Sequence, residues 1–241
     1  MKALQIIVIA ITALSGCDKK KEIAGPATST DTTSKIKPMT DSLSYLALGD
    51  SYTIGQSVPL SESFPYLLTS SLRGDSFKVE TPKIIATTGW TTDNLIDAIA
   101  NSGINNKKYD FVTLLIGVND QYQGLSQDNY KIKFARVLNM AITFANGDTS
   151  RVVVLSIPDY GVTPFAGGRD SEIGPEIDQF NAINKSISLK AGVNYLDITA
   201  ISRSAASDPS LIAEDGLHPS GKMYSLWVNQ LAPIVSAKAK N

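Results

Sequence analysis

Four short segments of this 241-residue chain hold the side chains best suited to chemistry. They are Gly49-Asp50-Ser51-Tyr52-Thr53, the turn Thr88-Gly89-Trp90, Gly117-Val118-Asn119-Asp120, and Asp215-Gly216-Leu217-His218-Pro219. A serine hydroxyl is a poor nucleophile near neutral pH and needs an adjacent base. Histidine is the side chain whose unperturbed pKa suits that task, and the chain has one, His218. Asp215 lies three residues earlier, close enough through a tight turn to accept the other imidazole N–H. That hydrogen bond would fix the tautomer and stabilise the imidazolium formed when Ser51 attacks an acyl carbon. Each residue alone also suits a plainer role. Ser51 could cap a helix, Asn119 and Asp120 could shape a loop, and Asp215-Gly216 is an ordinary turn signal.

The elements that must position these residues follow from hydrophobic patterning. Short, continuously apolar runs occur at Tyr45–Gly49, Lys83–Thr87, Phe111–Ile116, Arg151–Ile157 and Val193–Ile198. Runs of this kind, rather than alternating ones, indicate strands buried on both faces of a parallel sheet. Helical spacing is clearest over Ser126–Asn146, with shorter helices expected at Glu62–Leu72, Asp93–Ala100 and Ile177–Leu189. A last helix is expected from Pro219, with Pro233 ending or kinking it. Strand–helix alternation implies a doubly wound α/β domain. In such domains the ligand site lies beyond the carboxyl ends of the strands, and the four segments fall there.

Taken in order, the four segments resemble the SGNH hydrolases, the superfamily that includes the GDSL lipases and esterases. The resemblance spans roughly residues 43–235. Tyr52 departs from the eponymous motif, which has Leu at that position, but Ser51 is kept. The resemblance implies a three-layer α/β/α sandwich, flavodoxin-like, with about five parallel strands. It also implies a serine ester hydrolase working through an acyl-Ser51 intermediate, with Ser51, Asp215 and His218 as catalytic residues and no metal or cofactor. The family pattern assigns the oxyanion hole to the Ser51 backbone N–H, the Gly89 backbone N–H and the Asn119 side-chain amide. Gly89 has no side chain to obstruct an approaching carbonyl. Tyr52, Trp90 and Tyr122 adjoin these residues as candidates for a substrate pocket, and Asp50 and Asp120 are expected to hold their loops by accepting backbone hydrogen bonds. The stretch Asp159–Pro175 is long for a strand–helix connection and is expected to wall or cover the site.

Other chemistries fit poorly. Gly216–Lys222 nearly matches a phosphate-binding loop, but Met223 stands where a magnesium-binding Ser or Thr is required. No G-x-S-x-G or G-x-G-x-x-G is present, and one histidine cannot supply an H-E-x-x-H zinc motif. With 22 basic and 23 acidic residues, a net charge of -1 gives no basic footprint for nucleic acid.

The N-terminus reads as an address. Lys2 precedes an apolar run from Ala3 to Leu14, too short to span a bilayer core but the length of a secretory signal. Leu14-Ser15-Gly16-Cys17 resembles a bacterial lipobox, and Cys17 is the chain's one cysteine. That resemblance implies a signal peptide over 1–16, lipidation of Cys17 and attachment at the cell envelope, on the periplasmic side or the cell surface. Residues 17–42, rich in Thr, Ser, Lys and Asp, suit a flexible tether, and the hydrolase domain is expected over 43–241. The expected partners are an ester of a small molecule, polysaccharide or lipid, and the membrane through its anchor. Two alternatives remain open: a non-catalytic surface lipoprotein that binds carbohydrate or lipid, and an acyltransferase using the same residues.

Overall fold

A computed structural model describes residues 42–239. The expected signal peptide, Cys17 and all but the last residue of the expected tether lie outside the described residues.

Five parallel strands form one sheet: β1 (Tyr45–Gly49), β2 (Lys83–Ala86), β3 (Phe111–Leu115), β4 (Val152–Leu155) and β5 (Asn194–Leu196). Their spatial order is β2-β1-β3-β4-β5. The chain therefore runs out from β1 to β2, then crosses back over β1 to β3. That reversal opens a crevice at the carboxyl ends of β1 and β3. Pairing is continuous there, with Leu48 opposite Leu114 and Gly49 opposite Leu115. The three central strands are buried along their whole length, as their unbroken apolar sequences require. The edge strands β2 and β5 are only partly covered and include Lys83 and Asn194.

Eight helices complete the described domain: α1 (Ser51–Ile54), α2 (Phe64–Gly74), α3 (Thr92–Asn101), α4 (Val118–Tyr122), α5 (Gln127–Phe144), α6 (Asp170–Lys190), α7 (Thr199–Arg203) and α8 (Gly221–Ala239). Helices α2 and α8 pack on each other, while α5 packs between α3 and α6, giving the α/β/α layering. The seam between α2 and α8 is aromatic. Phe64, Tyr224 and Trp227 are fully buried there, with the Tyr224 and Trp227 rings edge-on at 5.0 Å. Burying each such side chain contributes roughly 1.5–3 kcal/mol.

The main differences from the sequence reading lie in α6 and α8. Helix α6 begins at Asp170 rather than Ile177 and contains Pro175. Its buried face includes Gly174, Asn184 and Ser188, so the apolar period is interrupted although the helix is not. The expected long loop therefore ends at Arg169, and two 3-10 turns, Tyr160–Val162 and Pro164–Ala166, give it structure. Helix α8 begins at Gly221, two residues after Pro219, and runs on through Pro233. Leu231, Ala232 and Val235 are buried around that proline, so tertiary packing offsets the lost backbone hydrogen bond.

Candidate active site

The nucleophile candidate is placed by a single helical turn. Asp50, not Ser51, caps α1: its Oδ1 accepts from the Tyr52 N–H at 3.0 Å. Ser51 is thus the first helical residue, whose N–H has no intrahelical acceptor and is available to a ligand. The Ser51 carbonyl accepts from the N–H groups of Gly55 and Gln56, which closes the turn behind it.

Asp215 and His218 come together through their own loop. The Ala213 N–H donates to the His218 carbonyl at 2.8 Å and the Ser220 N–H to the Leu211 carbonyl at 2.8 Å, pinching the segment at its base. Within it, Asp215 Oδ1 accepts from the backbone N–H groups of Leu217, at 3.0 Å, and His218, at 2.9 Å. The other oxygen, Oδ2, lies 2.6 Å from His218 Nδ1. Burial alone would raise the Asp215 carboxyl. The hydrogen bonds from Ser57, the His218 ring and the two backbone N–H groups outweigh it and hold the group well below the usual carboxylate range. An ionised Asp215 against Nδ1 fixes the proton there and turns Nε2, the basic nitrogen, outward.

Gly89 and Asn119 are positioned by connected loops. The Trp90 N–H donates to the Thr87 carbonyl at 3.3 Å, closing a turn in which Gly89 adopts φ +80. A Cβ at Gly89 would meet no atom within 4 Å, so the positive φ, and not crowding, is what favours glycine. Gly117, at φ +129, lies between β3 and α4 as the helix N-cap; a Cβ there would lie 2.6 Å from the Tyr130 hydroxyl. Two residues on, Asn119 Nδ2 donates to the Trp90 carbonyl at 2.9 Å. Asp120 Oδ2 accepts from both the N–H and the hydroxyl of Thr92, at 2.8 and 3.0 Å, tying α4 to the start of α3. Asp50 and Asp120 are thus loop-holding acceptors.

These residues converge on one cavity of about 140 Å³. It is lined by Ser51, Gly89, Asn119 and His218 together with aromatic and apolar side chains. Of the three pocket candidates, Tyr52 and Tyr122 line it. The Tyr52 ring packs 5.4 Å from the His218 ring. Trp90 is not among the lining residues; it packs against the core and contributes its carbonyl to Asn119. Thr88, Val118 and Leu217, from the named segments, and Tyr160 and Phe165 also line the cavity, although none of the five was a pocket candidate from sequence. Tyr160 and Phe165 come from the Asp159 stretch, which forms one wall. Their rings and that of Tyr122 lie 6.0–6.3 Å apart, and the Phe165 N–H donates to the Gly216 carbonyl at 3.0 Å. Nothing in the local sequence marks Phe165. Among the described residues no cluster of His, Cys, Asp and Glu could hold a metal ion, and no helix is long and apolar enough to cross a membrane.

The fold and site are those of an α/β protein that presents Ser, His and Asp at a strand switch point. Residues 47–226 match the model of the GDSL-like lipase/acylhydrolase family, and the chain belongs to that family. It is accordingly a GDSL-type hydrolase. A search of curated proteins returned no match. Solved structures share the fold at low identity. A member of the lipolytic G-D-S-L family from Veillonella parvula is similar at a TM-score of 0.66 and 16% identity, covering 81% of this chain and 99% of its own. The psychrotrophic esterase EstA from Pseudoalteromonas sp. gives 0.60 and 16%, covering 83% and 100%. Axe2, an acetyl xylan esterase from Geobacillus stearothermophilus, gives 0.64 and 16%, covering 80% and 94%.

Proposed function

We propose that this hydrolase cleaves carboxylic esters through an acyl-Ser51 intermediate. The observation that carries the reading is the 2.6 Å contact of Asp215 Oδ2 with His218 Nδ1, with His218 and Ser51 lining one cavity. His218 takes the Ser51 proton as Oγ attacks the ester carbonyl carbon. The negative charge that develops on the carbonyl oxygen is met by the N–H groups of Ser51 and Gly89 and the Asn119 amide. The tetrahedral intermediate collapses, the C–O bond to the leaving alkoxide breaks, and His218 returns the proton to that oxygen. Water then attacks the acyl-enzyme by the same sequence, with His218 as base, and the acid is released.

The cavity's size supports small acyl groups, since pockets that engulf drug-sized ligands run from about 300 Å³ upward. The neighbouring esterases and the acetyl xylan esterase agree with an ester substrate without selecting one. The lipobox-like Leu14–Cys17 segment supports a role at the cell envelope.

Turnover of a short-chain aryl ester tests the reading. Ser51→Ala and His218→Ala should each abolish it and abolish labelling by a fluorophosphonate probe. Wild-type rates in either variant would overturn the assignment. A surface-binding protein without turnover would leave the probe unreacted, and an acyltransferase would divert acyl groups to added alcohols or sugars.

A further inference from the structure

We propose that Ser57 is a positioning residue for this hydrolysis: its hydroxyl locks the Asp215 carboxylate in the orientation that holds the His218 ring. The inference rests on the Ser51–His218–Asp215 reading and extends it by one member.

Ser57 Oγ donates to Asp215 Oδ2 at 2.6 Å, across 158 residues of sequence. That oxygen is the one facing His218 Nδ1. Asp215 therefore receives two donors on each oxygen: Leu217 and His218 N–H on Oδ1, Ser57 and the imidazole on Oδ2. An ionised carboxylate offers about four lone-pair directions, so this set occupies the group fully. Three of the four donors sit within three residues of Asp215 and move with its own loop. Ser57 is the exception. It alone ties the carboxylate to the segment that follows the nucleophile, so the hydroxyl fixes Asp215 relative to Ser51 and not merely relative to His218.

The backbone supports a dedicated role. Ser57 adopts φ +67, a left-handed conformation that a serine rarely occupies without compensation. It follows Gly55, at φ +74, whose N–H closes α1 on the Ser51 carbonyl. The intervening Gln56 accepts through Oε1 from the Thr88 hydroxyl, next to Gly89. Consecutive residues of one loop thus bind the nucleophile turn to the Gly89 turn and to the acid–base pair. Ser57 is exposed, so its substitution leaves the core intact.

The test uses the full chain, whose single histidine means that 15N-histidine labelling reports His218 alone. In the wild type the ring should hold one tautomer, protonated at Nδ1. Ser57→Ala should lower kcat about tenfold, as expected for losing a hydrogen bond to a charged group, with KM and melting temperature unchanged. The same variant should turn the imidazole signal into a mixture of tautomers. Ser57→Asn, which tolerates the left-handed backbone and carries amide donors, should restore part of both. Wild-type kcat and a single tautomer in Ser57→Ala would overturn the proposal. So would a Ser57→Gly variant that keeps full activity, because the backbone conformation and not the hydroxyl would then be responsible. The tautomer measurement needs no turnover. A failure of the Ser51 mechanism and a failure of the Ser57 proposal are therefore read separately.

Discussion

The side-chain amide of Asn119 donates to the Trp90 carbonyl at 2.9 Å, so the loop after β3 is bonded to the turn after β2 across the open end of β1. One amide hydrogen is used in fixing the side chain, and the other is the one the proposed oxyanion hole would use. The bond also holds the Gly89 N–H, one residue before Trp90, at a set distance from the Asn119 donor. Two members of the proposed oxyanion hole are thus preorganised with respect to each other before an ester arrives.

Asn119→Ala should lower kcat by about 10²–10³, the usual cost of removing one such donor. KM for a short ester should change little. Steady-state kinetics on the purified variant measure both. An unchanged kcat would remove Asn119 from the mechanism and leave it only its structural bond to Trp90.

Asp50 sets a pH dependence of stability. It is fully buried, and Oδ2 has no hydrogen-bond partner, so little compensates a charge there. Burial raises its pKa from 3.8 to about 8, the Tyr52 N–H opposes that rise, and the nearby Asp120 charge adds to it. Between these values the folded protein keeps a proton that the unfolded chain has released. The contribution of Asp50 to stability therefore falls as pH rises from about 4 to about 8. Asp50→Asn keeps an acceptor for the Tyr52 N–H and cannot ionise. Thermal melts across that range should show a flatter profile for the variant than for the wild type. Parallel profiles would show that Asp50 does not carry the linkage.

The N-terminal assignment is testable apart from the fold. Expressed in a bacterium, the full chain should partition with membranes and incorporate labelled fatty acid. Cys17→Ser should abolish the label and release the protein from the membrane fraction. Fatty-acid labelling that survives the substitution would refute lipidation at Cys17. Two acyl chains suffice for a stable anchor because each buried CH₂ contributes about 0.8 kcal/mol.

Much of this protein is determined locally and so could be read along the chain. A strand buried on both faces must be apolar at consecutive positions, which makes β1, β3 and β4 visible as YLALG, FVTLL and VVVL. The chemistry proposed for Ser51 and His218 was legible for a similar reason. A nucleophile needs a base of suitable pKa, and a chain with one histidine offers one choice. Asp215 was legible because the turn linking it to His218 spans only three residues.

What the sequence left open depends on contacts between distant segments. Pro233 and Pro175 signal breaks locally, yet both lie inside helices, because packing around α8 and α6 outweighs a single lost hydrogen bond. Tyr160 and Phe165 wall the cavity because their loop folds back onto Gly216. Trp90 adjoins Gly89 in sequence but packs toward the core, since the turn sends successive residues in different directions. Ser57 is an unremarkable serine until the fold brings it 2.6 Å from an aspartate 158 residues away. Residue types and short spacings determined which reaction is proposed for the chain. Only the tertiary structure decided how the candidate groups are held relative to one another, because bonds such as Ser57–Asp215 and Asn119–Trp90 join segments that no short spacing connects.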